Sequence, residues 1–95
     1  MEEVKVLSSF YVAIKDDNRI GTTHISMFMA FFHFYNLNGF RNPVSITRAR
    51  IMDVAKISGL ATYHKCIKDL HEFGYIKYEP SYNPAISSQV ILLKI

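Results

Sequence analysis

The chain has 95 residues, of which 49% are hydrophobic, and a formal net charge of +3. This length fits one domain with a single core, and the apolar content excludes a disordered tail. No apolar run reaches the ~20 residues that a membrane-spanning helix needs, and the first residues, MEEVKV, lack the basic-then-apolar order of a signal peptide. The single cysteine, Cys66, cannot form an internal disulfide, so we expect a cytoplasmic protein.

The segment from Val4 to Lys15 alternates between apolar and mixed positions, which predicts a strand of about ten residues. The next residues, Asp16 to Gly21, have turn-forming chemistry. We therefore assign residues 1–21 to an N-terminal strand extension that pairs within the chain or with a second copy of it. The positions that share one face of the predicted strand are Val4, Val6, Phe10, Val12 and Ile14.

A helix is predicted to begin after an N-cap at Thr22 or Thr23 and to run to about Asn38, with Gly39 as its stop. Apolar residues cover most of its circumference, and only a narrow strip is polar. Such a helix is buried on more than one side. The sequence therefore predicts a homodimer, formed through this helix and the N-terminal strand.

A short strand from Val44 to Ile46 precedes a second helix, which Thr47 caps and which runs from Arg48 to about Lys56. Arg48 and Arg50 lie in its first turn, where cations oppose the helix dipole. Either they bind an external anion or they are solvated side chains. The predicted inner face consists of Ile51, Val54 and Ala55.

The stretch ISGLATYHKCIKDLHEFGYIKY, residues 57–78, predicts a turn, an amphipathic helix over about 60–73, a glycine stop and a strand. Either Ser58 or Gly59 caps this third helix, and Gly74 ends it. The predicted buried stripe consists of Leu60, Tyr63, Ile67 and Leu70. The predicted outer side consists of Ala61, Lys65, Lys68 and Glu72.

A hairpin follows the third helix over about residues 76–93. Its predicted strands run from Ile76 to Glu79 and from about Val90 to Leu93. The segment between them contains PSYNPAISS, whose Pro, Ser and Asn residues are typical of a loop.

Positive charge is concentrated in the second half of the chain. Seven Lys and Arg residues oppose three acidic residues between Arg41 and Tyr78, a net charge of +4, whereas the first forty residues carry a net charge of −1. This distribution is the electrostatic pattern expected of a surface that binds phosphate.

The order helix, short strand, helix, turn, helix, hairpin resembles the winged helix-turn-helix superfamily of small DNA-binding regulators. The resemblance is carried by ATYHKCIKDLHEFGYIKYEP, residues 61–80, in which Ala61-Thr62 opens the recognition helix, Lys65 is the basic residue that follows, and Leu70 and Gly74-Tyr75-Ile76 lead into the wing. The chain is also similar, more loosely, to small winged-helix proteins encoded on bacterial mobile elements. Over residues 22–95 the resemblance implies an α+β winged helix-turn-helix of three helices and a β-hairpin.

This resemblance implies sequence-specific binding of double-stranded DNA by a protein without enzymatic activity, either a transcriptional regulator or an accessory factor of a mobile element or replicon. The recognition helix would enter the major groove and the wing would lie on the backbone. A dimer would read two half-sites about one helical turn apart, or a multiple of that. The alternative is a winged-helix protein–protein interaction module that does not bind DNA. The predicted DNA-binding residues are Arg48, Arg50, Ser58, Ala61, Thr62, His64, Lys65, Lys68, Lys77, Tyr82 and Asn83.

The sequence contains no pattern of a metal or catalytic site. His64 and His71 are seven residues apart on one helix, about 10 Å along its axis, and Cys66 projects to another side. We expect Cys66 to be a buried structural thiol and His24 and His33 to be polar surface residues. No Gly-rich phosphate loop or nucleophile motif is present, so the sequence predicts no metal and no cofactor.

Overall fold

The computed structural model of the chain describes residues 2–83 and 86–93. Its three strands form an antiparallel sheet in the order β1-β3-β2, and four helices accompany them, so the predicted α+β class is confirmed. In chain order the elements are α1 (Glu2–Ile14), α2 (Thr22–Leu37), β1 (Val44–Ile46), α3 (Arg48–Ala55), α4 (Leu60–Glu72), β2 (Ile76–Glu79) and β3 (Ser88–Leu92).

The N-terminal segment is a helix, and the prediction of a strand from Val4 to Lys15 is wrong. Val6 and Phe10 are both 1% exposed, whereas Val12, which the strand pattern placed on the same face, is 74% exposed. Residues four positions apart share a face in a strand and also in a helix. Val6 and Phe10 therefore fit the period of a strand and also that of a helix, and the apolar alternation did not distinguish the two structures.

Helix α1 packs on α2 through aromatic rings. The Phe10 ring stacks on the Phe28 ring with 3.8 Å between centroids, and it meets the Tyr75 ring edge-on at 5.5 Å. Helix α1 thus covers a side of α2 for which the sequence analysis invoked a strand or a second subunit. With this side of α2 covered, the apolar circumference of the helix does not by itself require a second subunit. The homodimer therefore stays a prediction.

The turn after α1 is tied to the segment that links α4 to β2. Asp17 accepts hydrogen bonds from the Arg19 Nε, at 2.8 Å, and from the Tyr75 hydroxyl, at 2.6 Å. The Arg19 guanidinium lies 4.0 Å from the centroid of the Phe73 ring. The hydrogen bonds from Arg19, and then from Tyr75, hold the pKa of the Asp17 carboxyl well below its usual range.

Helix α2 begins one or two residues earlier than predicted, because its N-cap is Gly21 rather than Thr22 or Thr23. The Gly21 N–H donates to His24 Nδ1 at 3.0 Å, so a histidine side chain satisfies the amide at the start of the helix. The predicted stop is confirmed, since Gly39 has a φ of +70° just beyond the C-cap.

The core surrounds α2, which contacts α3, α4, β1 and β3. Met27, Phe28 and Phe31 on this helix are each 0% exposed. The Ser26 hydroxyl donates a hydrogen bond to the carbonyl of Ala55 at the end of α3. Apolar burial and a partly buried hydrogen bond thus fix α3 against α2.

The central strand of the sheet is β3. Val90 lies opposite Val44 of β1, and Leu92 lies opposite Ile76 of β2. The side-chain amide of Asn42 prolongs the ladder, because it donates to the Leu92 carbonyl at 3.1 Å and accepts from the Leu92 N–H at 3.0 Å. Strand β3 begins two residues earlier than predicted and ends one residue earlier.

None of the helices in the described part of the chain is long and apolar enough to cross a membrane.

We predict that Phe10→Ala lowers the free energy of unfolding by about 3–5 kcal/mol, because it removes a buried ring and leaves a cavity between α1 and α2. Urea denaturation followed by circular dichroism measures this loss. The matched control is Val12→Ala on the exposed side of α1, which should change the stability by less than about 0.5 kcal/mol. Equal effects of the two substitutions would show that α1 does not pack as described.

Candidate nucleic-acid interface

The turn between α3 and α4 consists of residues 56–59 and orients α4 on the core. Lys56 adopts a left-handed conformation with a φ of +60°, and Ile57 is buried at 7% exposure. Gly59 is the N-cap of α4. The sequence left Ser58 and Gly59 as alternative caps, and the structure has Gly59 in this role. A Cβ atom at Gly59 would lie 3.3 Å from the Thr62 Oγ1, so a larger residue at this position would crowd the first turn.

The inner side of α4 is mostly as predicted. Tyr63, Ile67 and Leu70 are buried, and Cys66 is a buried thiol at 3% exposure. Leu60 is 47% exposed, so its assignment to the buried stripe is wrong. It lies in the first helical turn, about 60° around the helix from Tyr63 at 100° per residue, on the edge of the buried side.

The outer side of α4 presents Ala61, Lys65 and Lys68, all exposed. The Lys65 Nζ lies 3.0 Å from the Asp69 Oδ2, and the Lys68 Nζ lies 3.9 Å from the Glu72 Oε1. The two lysine side chains are still 74% and 73% exposed. The face therefore presents two accessible ammonium groups, each beside a carboxylate one helical turn further on.

Asp69 joins this face to the core. Its Oδ2 also lies 2.8 Å from the Nε2 of His24. Because the His24 Nδ1 accepts the Gly21 N–H, the ring proton lies on Nε2, which donates to Asp69. Hydrogen bonds from His24 first, and then from Lys65, lower the pKa of Asp69. His24 is only 8% exposed, so its assignment to the polar surface is wrong.

A cleft of about 320 Å³ lies between the start of α3, the first turns of α4 and the β2–β3 hairpin. We call it the α3–hairpin cleft. It brings together three of the predicted DNA-binding residues, Arg48, His64 and Asn83. The polar lining residues that sequence reasoning missed are Thr47, Tyr63, Tyr78, Ser81, Ser87 and Ser88.

Arg48, Tyr63 and Tyr78 interact electrostatically in this cleft. Burial, and then the proximity of Tyr78, raise the pKa of Tyr63 to about 12, while Arg48 opposes this rise. The Tyr63 hydroxyl therefore keeps its proton at neutral pH. No acidic side chain is found among the lining residues of the cleft that the structure describes.

A side-chain contact joins the hairpin to α4, and another closes the hairpin loop. The His71 Nδ1 accepts the Tyr78 N–H at 2.9 Å, which joins β2 to the last turn of α4. The Ser81 N–H donates to the Ser88 Oγ at 3.0 Å, which closes the loop between the strands. The backbone amides of Tyr78 and Ser81 beside the cleft are thus both hydrogen-bonded. Pro84 of the predicted loop lies outside the described residues.

Arg50 does not share the α3–hairpin cleft. Its guanidinium carbon lies 4.7 Å from the centroid of the Phe34 ring on α2, and it lines a separate cavity of about 230 Å³ with Leu37 and Val44. Two positions along a helix correspond to about 200° of rotation. Arg48 and Arg50 therefore point to different flanks of α3, and they do not converge on one anion.

The remaining predicted residues are more dispersed. Lys77 is exposed and alternates on β2 with buried Ile76 and half-buried Tyr78, so it lies on the opposite face of the sheet. Tyr82 in the hairpin loop is 92% exposed, and Ser58 is exposed in the α3–α4 turn. Of the predicted cationic residues, Arg48 lines the cleft, whereas Lys65 and Lys68 lie on the outer side of α4.

Within residues 2–83 and 86–93, no group of three or more His, Cys, Asp or Glu side chains is arranged to hold a metal ion.

Comparisons of the chain with protein-family models, with curated proteins and with solved structures found no match. A functional assignment therefore depends on the geometry and charge of the described residues.

We predict that two of the six tyrosines of the chain, Tyr63 and Tyr75, ionise near pH 12. Burial is the larger cause for both, and the hydrogen bond to Asp17 adds to it for Tyr75. A raised pKa means that their stabilisation is complete below about pH 10 and is lost as the pH rises towards 12. Tyrosinate absorbance and circular dichroism, measured over this range, test both statements.

The variants Tyr63→Phe and Tyr75→Phe should each remove one phenol from the titration near pH 12, and the double variant should remove both. An unchanged titration near pH 12 in the double variant would contradict the assignment.

Proposed function

We propose that this chain binds double-stranded DNA as a winged helix-turn-helix protein, as a transcriptional regulator or an accessory factor of a mobile element or replicon. In this proposal α3 and α4 form the helix-turn-helix, α4 enters the major groove, and the β2–β3 hairpin is the wing. The observation that carries the proposal is the outer side of α4, which presents Lys65 and Lys68 and adjoins the cleft that contains Arg48. His64 of α4 lines this cleft together with Arg48 of α3, so residues of both helices contribute to one site.

The dimensions of α4 fit this role. Thirteen residues give a helix about 20 Å long, and the major groove is about 12 Å wide. Ala61 is small enough for the first turn to approach the base edges, and Lys65 and Lys68 reach guanine acceptors or phosphates from the middle of the helix. His64 lies on the flank of α4 that faces the hairpin, between Lys68 and the cleft.

The ion pairs on α4 do not prevent this binding. Lys65 and Lys68 each have a carboxylate partner, but exposed pairs of this kind contribute little to stability because solvent screens them. A DNA phosphate offers a stronger acceptor, and its binding releases condensed counterions. The ion pairs therefore reduce the positive electrostatic potential of the outer side of α4, but they leave its lysines able to bind phosphate.

Homodimerisation stays part of the proposal. The outer side of α1 exposes Val4, Tyr11 and Val12 by 49%, 45% and 74%, and a second copy that packs there would present two α4 helices to successive half-sites. In such a dimer, a contact through helix α1 would replace the predicted contact through an N-terminal strand.

The alternative function is a winged-helix module that binds another protein. It is favoured by the positions of Arg50 and Lys77, which lie away from the surface formed by α4 and Arg48. The absence of DNA binding at low salt would favour this alternative.

We predict that Lys65→Ala/Lys68→Ala weakens binding to a pool of random duplexes by roughly 10- to 100-fold at low salt, because two phosphate or base contacts are lost. The slope of log K against log salt should fall by about 2. Fluorescence anisotropy at several salt concentrations measures both quantities.

The matched control is Lys15→Ala/Arg41→Ala, which removes the same charge at two exposed positions outside α3 and α4. It should leave the slope unchanged. Wild-type protein that shows no binding at low salt, or binding that does not depend on salt, would refute the DNA proposal.

We also predict that Glu72→Gln strengthens duplex binding several-fold, because it removes the carboxylate beside Lys68 and one negative charge from the face. The fold should be unaffected, since a negative charge in the last turn of a helix opposes the dipole. The same anisotropy assay measures the gain. A gain of affinity cannot result from misfolding, and unchanged or weaker binding would argue that α4 does not face the DNA.

A further inference from the structure

Arg48 differs from the lysines of α4 in its surroundings. Lys65 and Lys68 each lie within 4.0 Å of a carboxylate oxygen. Arg48 has no ion pair of this kind with any residue in the described part of the chain, and it borders a cleft whose described lining contains no carboxylate. The positive charge at this position is therefore not neutralised locally.

The α3–hairpin cleft is lined by hydrogen-bond donors. The Tyr63 hydroxyl is protonated at neutral pH, as its raised pKa of about 12 requires. The Ser88 hydroxyl accepts the Ser81 N–H and keeps its own proton for donation. A guanidinium group with hydroxyl donors in the same cleft, and without a carboxylate among the described lining residues, suits an anion with several acceptor oxygens. A phosphate is such an anion.

The position of the cleft indicates the source of this phosphate. The cleft lies between the first turns of α4 and the hairpin loop. In the proposed complex, a DNA strand that runs from the groove occupied by α4 to the hairpin would cross this cleft. The volume of about 320 Å³ is at the lower end of the range for small-ligand sites, which is enough for a phosphate and its sugar.

We propose that the α3–hairpin cleft holds a single backbone phosphate of the DNA strand that runs from α4 to the hairpin, with Arg48 as its main ligand and Tyr63 and Ser88 as additional donors. This inference rests on the proposed function. It adds a phosphate contact that is separate from those of Lys65 and Lys68 and independent of base sequence.

The test compares Arg48→Ala with Arg41→Ala, which removes the same charge at the opposite end of the sheet. Arg41 precedes Asn42, which bonds to Leu92, whereas Arg48 follows the Ile46 end of β1, which pairs with Ser88. Arg48→Ala should weaken duplex binding roughly tenfold and lower the salt slope by about 1, and it should do so equally for unrelated duplex sequences. Arg41→Ala should change neither quantity.

Arg48→Lys is the second variant, because it keeps the charge and removes the planar fork. We expect it to retain the salt slope and to lose part of the affinity. Thermal unfolding of all three variants checks that the fold is intact. Free phosphate as the source is tested by calorimetric titration of the wild type with thymidine monophosphate. We expect no binding at the concentrations at which duplex DNA saturates the protein.

The outcomes separate the two proposals. If Arg48→Ala matches Arg41→Ala while Lys65→Ala/Lys68→Ala still weakens binding, the phosphate site is refuted and the DNA proposal stands. If the wild type binds no duplex, both are refuted. Binding of thymidine monophosphate that requires Arg48, without duplex binding, would overturn the DNA backbone as the source and identify a small-molecule site.

Discussion

Helices and sheet assemble around α2 because its apolar side chains occupy almost its whole circumference and must be removed from water. α3, α4, β1 and β3 contact this helix, and Phe10 of α1 covers a further side by stacking on Phe28. A small domain has few ways to surround one helix so completely. Once α4 packs its buried stripe inward, its lysines must face outward, so the candidate interface follows from the burial of α2.

Polar contacts then fix what apolar packing leaves adjustable. His24 binds Asp69 and thereby locks the rotation of α4 about its axis, and His71 binds the Tyr78 amide and places the hairpin beside α4. Both contacts use a histidine nitrogen. The His24 contact is partly buried, where part of the bond energy survives competition with water, whereas the His71 contact is exposed. The shape of the α3–hairpin cleft depends on these two contacts, since α4 and the hairpin form its walls.

The sequence predicted the elements whose signals are local. The Thr47 cap, the strand Val44–Ile46 and the stop at Gly74, with its φ of +86°, are confirmed. It misassigned α1, because an apolar residue at every fourth position fits two periods, and it misplaced His24, whose partner is 45 residues away. It also missed Tyr63 and Tyr78 as cleft residues, because their proximity arises only when the hairpin folds back onto α4.

The contrast between Arg48 and Arg50 shows why charge in the sequence does not define an interface. The two residues lie in the first turn after the same cap and are equal in charge, so composition cannot rank them. Rotation along α3 places Arg50 on the Phe34 ring, where its planar face is used for packing. Arg48 is instead directed to a cleft of donors without an acid. A cation binds an external phosphate well where the fold has left it without an internal partner, and among the two arginines of the first turn of α3 that condition selects Arg48.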